Sequence, residues 1–211
     1  MRAAAAAAIA ARARFRLGLP GGRTPEPLLR ALGIEPVASA IAWERVQVLM
    51  ADERAVPPGD PARNDRRVRT ALEASLGARA PRVVPMPAAE VDLEAAAIAC
   101  EALYAEPLDL LVLGVGEDGH VASLFPGSPQ LRERERRVAA VHDAPRPPAR
   151  RLTLTPRAIA EARRVLVLAT GAEKSRAVAG ALAVQGPVED IPARLVRARE
   201  WIVDVNAARG L

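Results

Sequence analysis

The chain has 211 residues, half of them apolar, with one cysteine and two histidines, enough to bury one full core and most simply a single domain over 1–211. A lone cysteine excludes disulfides within the chain and cysteine-built zinc sites, and it points to a reducing, cytoplasmic setting. The net charge is +5, from 30 Lys plus Arg against 25 Asp plus Glu; arginines alternate with glutamates, as across Arg132 to Arg137, which reads as a solvated face and not as a nucleic-acid surface.

The alanine-rich N-terminus has one large aliphatic residue before charges resume, so it reads as the end of a helix and not as a secretory signal. No segment reaches the roughly 18 to 20 apolar residues of a membrane span. Arg12, Arg14 and Arg16 alternate with Ala13, Phe15 and Leu17, predicting a short strand that runs into LPGGRTP and the helical PEPLLRALG. Arg45 to Ala51 predicts a strand that delivers Asp52, Glu53 and Arg54 to its carboxyl end. The prolines of AVPPGDP force a loop before the helical NDRRVRTALEASLG.

A short strand near Arg82 to Met86 and a helix across Val91 to Ala105, with Cys100 on its packed face, lead to a central strand at Leu110 to Leu113. The strand empties into GVGEDGH, Gly114 to His120. Next, APRPPARRLTLTP is a proline-stiffened loop feeding a strand, and Thr155 with Pro156 forms an N-cap and first-turn pair for PRAIAEARR. The strand RVLVLATG, the helix EKSRAVAGALAV and the strand WIVDVN complete the pattern. Near-continuous apolar strands separated by helices predict an α/β fold: an open, mostly parallel sheet with helices on both faces, Rossmann-like in its three layers.

Four strand ends carry polar or glycine-rich clusters: PGGRTP, ADER, GVGEDGH and ATGAEK. In such sheets the ligand crevice lies beyond the carboxyl ends of the strands, so the four are expected to surround one pocket. Gly21 and Gly22 offer backbone N–H groups to an anion, or else form a tight turn. Gly114 and Gly116 lack the third-glycine spacing of a dinucleotide loop and are followed by two acids. His120 sits two residues after Asp118, which orients the imidazole or stabilises its charged form; imidazole is the side chain suited to proton exchange near neutral pH. Metal ligation lacks partners, since only His142 remains, and Ser123 lacks a nucleophile-elbow setting. Arg54 and Lys174 are the anion-binding candidates, with surface ion pairs as the alternative. His142 and Asp143 either line the cleft from their loop or serve structure and solubility.

These segments, in this order, resemble the 6-phosphogluconolactonase family, which is related to the glucosamine-6-phosphate isomerase/deaminase group. The carrying residues are LPGGRTP (Leu19 to Pro25), ADERAVP (Ala51 to Pro57), Asn64, LGVGEDGHVASLFPG (Leu113 to Gly127), RRLTLT (Arg150 to Thr155), ATGAEK (Ala169 to Lys174) and WIVDVNAA (Trp201 to Ala208). The resemblance implies hydrolysis of 6-phospho-D-glucono-1,5-lactone to 6-phosphogluconate in the oxidative pentose phosphate pathway, with no metal or organic cofactor. It implies His120 as the base that activates water, Asp118 as its positioner and Arg54 as a group approaching the substrate. Gly21, Gly22, Arg23 and Thr24, with Asp52, Gly116 and Lys174, would complete the substrate site. The expected partner is the small phosphorylated lactone, with no nucleic acid or membrane, and the default state is a monomer.

The chain departs from the family pattern at Pro20, Arg23, Arg63 and Val121, where Ser, Ser, Ser and Thr are usual, and in a shorter first helix. Two other readings stand beside the lactonase. A glucosamine-6-phosphate isomerase/deaminase would continue DGH with an IAFNEP-like segment, where this chain has VASLFP. A silent sugar-phosphate sensor would need no His120 or Asp118.

Overall fold

The computed structural model describes residues 1–22 and 24–211, so the role expected of Arg23 lies outside the described residues. The chain opens with α1 (Arg2–Arg12), which stops where Ala13 turns left-handed at φ 59° and returns its N–H to Ile9 O. The first strand, β1 (Phe15–Leu19), therefore starts later than the arginine alternation predicts, and all five of its residues are buried. Arg16 is buried with them because its guanidinium donates to the carbonyls of Leu103 and Glu106.

Then come α2 (Glu26–Ala31), β2 (Val46–Met50), β3 (Asp52–Arg54), α3 (Asn64–Leu76) and β4 (Arg82–Val83). The helix expected over Val91 to Ala105 is α4 (Leu93–Cys100), capped by Asp92 and followed by a tighter 3-10 turn over Glu101–Tyr104. Beyond it lie β5 (Leu110–Gly114), β6 (Val138–Val141), β7 (Arg151–Leu154), α5 (Pro156–Glu161), β8 (Val165–Ala169), α6 (Ser175–Leu182) and β9 (Glu200–Val203). Thr155 caps α5 through the N–H of Ala158, with Pro156 in the first turn as the sequence predicts.

Six strands form one parallel sheet in the order β4-β2-β1-β5-β8-β9. Its central strands are aliphatic and wholly inaccessible, with Leu17, Val48, Leu111, Val112, Leu113 and Val167 all at 0% exposure. Strands covered on both faces require such runs, and the scarcity of aromatics is made good by Leu, Val and Ala.

The strand order reverses between β1 and β5. Loops leaving neighbouring strands at such a switch point part and open a crevice at their carboxyl ends. A second, three-stranded antiparallel sheet, β3-β7-β6, pairs Asp52 with Thr153 and Arg54 with Arg151 and packs against α4. The sequence reading took 52–54 as a strand end and did not foresee β6, whose four residues follow a charged run. This small sheet is what carries Arg54 and Arg151 to the crevice.

Candidate active site

All four strand-end clusters meet at one cleft of about 450 Å³. Pro20, Gly21, Gly22 and Thr24 line it after β1, Asp52 and Arg54 from β3, Gly114 to Glu117 and His120 after β5, and Thr170, Glu173 and Lys174 after β8. Residues separated by more than 150 positions converge because parallel strands deliver every β-to-α loop to the same sheet edge.

His120 is held by a loop that closes on itself. Gly116 N–H donates to His120 O at 2.8 Å and Gly119 N–H to Gly116 O at 3.0 Å. Gly119 takes φ +82°, and Ala122, just past the histidine, takes φ 51°, a left-handed conformation uncommon for a residue with a Cβ. A Cβ on Gly116 would overlap the imidazole and crowd Asp118, so only glycine admits the ring at its observed place.

Asp118 Oδ1 lies 2.5 Å from His120 Nδ1 and accepts the His120 backbone N–H at 3.2 Å. Burial opposes ionisation of Asp118, but the hydrogen bond and charge of His120 outweigh it and hold the carboxyl down at about 2. A carboxylate at Nδ1 fixes the proton there and leaves Nε2 as the free base. The ring packs on Phe125, centroids 4.7 Å apart.

The floor of the cleft is a buried polar network. Asp52 accepts Ser123 Oγ–H at 2.6 Å and Asn64 Nδ2–H at 3.2 Å, so its carboxylate is committed to neighbouring side chains. Asn64 fills the space that a Cβ on Gly21 would need, which makes the first glycine of the PGG turn obligatory. Gly22, at φ +85°, supplies the left-handed turn. Glu53 turns away from the cleft and accepts the N–H groups of Arg54, Asn64 and Asp65, capping α3. Burial pushes Glu53 up to about 7 against those donors and Arg63.

Arg63, which stands where the family pattern has serine, is 2% exposed and grips Asp65 at 2.8 and 3.1 Å. A serine would cap the helix with its own hydroxyl; here Glu53 caps and Arg63 offsets its charge at 3.6 Å. Val121, in place of threonine, is buried.

Among the described residues, four cations reach the cleft: Arg54, Arg146, Arg151 and Lys174. Arg151 stands 3.9 Å from Asp52, and Arg146 stands 3.9 Å from Glu117. Arg54 and Lys174 have no ion-pair partner among the described residues, contrary to the surface-pair alternative. Lys174 ends a 3-10 turn, Ala172–Lys174, directly before α6, and its loop is fixed by Asp204, which accepts Gly171 N–H at 3.1 Å. Arg146 and Arg151 received no role in the sequence reading; the signal was the RRLTLT motif and the proline loop before it.

His142 is not at the cleft. It is exposed and pairs with Glu94 at 3.1 Å, because β6 carries it toward α4. Cys100 is buried, and burial pushes its thiol up to about 12. No helix among the described residues is long and apolar enough to cross a membrane.

Residues 1–204 match the model of the glucosamine-6-phosphate isomerases/6-phosphogluconolactonase family. The chain is 41% identical to a curated 6-phosphogluconolactonase of Streptomyces coelicolor over 96% of its own length and 84% of that protein's. It is 36% identical to the human 6-phosphogluconolactonase over 94% of this chain and 81% of that one. Among solved structures, the Trypanosoma cruzi 6-phosphogluconolactonase superposes with a TM-score of 0.81 at 29% identity, covering 99% of this chain and 89% of the other. A monomeric glucosamine-6-phosphate deaminase at 22% identity shares the fold, with a TM-score of 0.79. With its glycine loop, its DER strand and its Asp-Gly-His turn gathered at one switch point, the chain belongs to the glucosamine-6-phosphate isomerase/6-phosphogluconolactonase family.

Proposed function

We propose that this chain hydrolyses 6-phospho-D-glucono-1,5-lactone to 6-phosphogluconate, the ring-opening step of the oxidative pentose phosphate pathway, with His120 as the base. The observation that carries this reading is the Asp118–His120 pair at 2.5 Å, on the wall of a cleft that also holds Arg54 and Lys174, neither with an ion-pair partner among the described residues. A lactone carbonyl is already electrophilic, so attack by water needs only a base to take its proton and a positive environment for the developing oxyanion.

In this reading His120 Nε2 accepts a proton as the water oxygen bonds to C1. Arg54 stabilises the charge on the former carbonyl oxygen. Collapse of the tetrahedral adduct breaks the bond to the ring oxygen, which takes the proton back from the imidazolium and leaves as a hydroxyl. The new carboxylic acid ionises, and no covalent enzyme intermediate forms. Asp118 stays ionised throughout and stabilises the transient imidazolium. Lys174, with the N–H groups of the Gly21 to Gly22 turn, is suited to the phosphate.

Wild-type protein is expected to accelerate the release of 6-phosphogluconate from freshly generated lactone above the spontaneous rate, and to release no ammonia from glucosamine 6-phosphate. The reverse pair of results would favour the deaminase reading.

A further inference from the structure

We propose that Arg151 is a positioning residue for His120: it clamps the Phe125 ring on which the imidazole packs. The kinetic part of this proposal rests on the lactonase reading above; its structural part does not.

Phe125 does not belong to the main hydrophobic core. It forms a separate small cluster with Val141 and Ala144. The ring packs against the imidazole of His120, at 4.7 Å and tilted 44°, and under the guanidinium of Arg151, whose Cζ is 5.4 Å from the ring centroid. That distance lies within the range of a cation–π contact, and burial strengthens such contacts because water no longer competes for the cation.

Arg151 is itself immobilised. Nε donates to Pro148 O at 2.9 Å, Nη2 to Arg146 O at 2.7 Å and Nη1 to Ser123 Oγ at 3.3 Å. With its edges occupied by protein groups, the guanidinium has its flat face left for the ring. The planar fork makes this possible, and an ammonium cannot reproduce it.

The cost of the arrangement is visible. Arg151 is 4% exposed and sits in direct register with Arg54 on the neighbouring strand. Like charges opposite one another across a sheet destabilise it. Asp52, 3.9 Å from the guanidinium, offsets part of that repulsion, and the face of the Phe125 ring gives the cation a second favourable contact. The chain His120, Phe125, Arg151 thus links the Asp-Gly-His turn to the small sheet.

The test uses the full chain and reads the ring proton signals of its two histidines by NMR, assigned with a His142→Gln variant. His142, exposed and paired with Glu94, is the internal reference. Arg151→Met is expected to move the His120 signals, through altered ring current from Phe125, and to leave those of His142 in place. On the lactone, kcat falls on the order of 10- to 100-fold while KM stays within about twofold, the pattern of a displaced base and not of a lost substrate contact. Arg151→Lys, which keeps the charge and loses the fork, gives a smaller displacement and a smaller fall. In a Phe125→Leu background Arg151→Lys has no further effect on either readout, because the coupling runs through the ring.

Unmoved His120 signals in Arg151→Met, or a loss residing in KM, overturn the proposal. If Arg151→Met fails to fold, the Lys and Phe125→Leu pair decides: an equal effect of Arg151→Lys with and without the ring overturns it. Wild-type protein without lactonase activity defeats the lactonase reading alone, since the NMR comparison still reports on the clamp.

Discussion

Asp118 Oδ1 meets both the ring Nδ1 and the backbone N–H of His120, so one carboxylate fixes the tautomer and the orientation of the imidazole together. Asp118→Asn keeps the shape and can present its N–H to Nδ1, which would move the proton to Nε2 and remove the base. A kcat loss on the order of 10²- to 10⁴-fold is expected in a protein that still folds, with a melting temperature lowered at neutral pH by the loss of the ionised carboxylate. Near-normal turnover in a folded Asp118→Asn protein would remove the orienting role.

The same carboxyl links stability to pH. Its folded-state value of about 2 is below the ordinary 3.8, so the folded protein binds fewer protons than the unfolded chain between these values. The stabilisation is present above about pH 4 and is lost as pH falls toward 2. Denaturant midpoints across that window are expected to fall less steeply for Asp118→Asn than for wild type; parallel slopes would contradict the shift.

Gly114 and Gly116 form a matched pair for testing the close approach of the loop. A Cβ on Gly116 would collide with the imidazole, whereas one on Gly114 meets nothing within 4 Å. Gly116→Ala should lose activity by about 10²-fold or more and cost about 1–3 kcal/mol. Gly114→Ala, on the same cleft wall, should remain folded to the wild-type degree. Thermal unfolding and initial rates on the two variants check this, and equal damage from both would show that loop conformation, and not the clash, governs.

The Gly21 to Asn64 contact predicts a compensating pair. Gly21→Ala should destabilise the protein and raise KM because the methyl group occupies the place of the Asn64 amide. Asn64→Ala opens that space but releases Asp52 from its 3.2 Å donor. The double variant should therefore be more stable than the sum of the single effects predicts, by about 0.5–3 kcal/mol. Strict additivity in a chemical-denaturation cycle would exclude the contact as the cause.

Lys174 should act on binding. Its removal as Lys174→Met is expected to raise KM for the phosphorylated lactone on the order of 10-fold with a smaller change in kcat, and to leave the reaction with unphosphorylated gluconolactone unaffected. Equal losses on both substrates would place Lys174 at the reacting carbonyl instead.

Much of this site is legible in the sequence because its parts are local. Strand, glycine turn and polar cluster lie adjacent in the chain at Leu110 to His120 and at Val165 to Lys174, and the parallel-sheet rule brings such ends together. What could not be read is what depends on contacts distant in sequence. Arg16 and Arg63 look like surface charges until the carbonyls and carboxylates that bury them are seen. The strand β6 is too short, and too close to Arg132 to Arg137, to show a period of its own. Arg151 is indistinguishable from Arg150 by composition; only the register of β7 turns one toward Ser123 and Phe125 and the other toward Val91.

The most direct test of the account is the rate of 6-phosphogluconate formation by wild type and by His120→Gln, each corrected for spontaneous hydrolysis and each shown to be folded. The account predicts clear acceleration by wild type and a loss of about 10²- to 10⁴-fold in the variant, the usual contribution of a positioned base. A His120→Gln protein that hydrolyses the lactone as fast as wild type would contradict it.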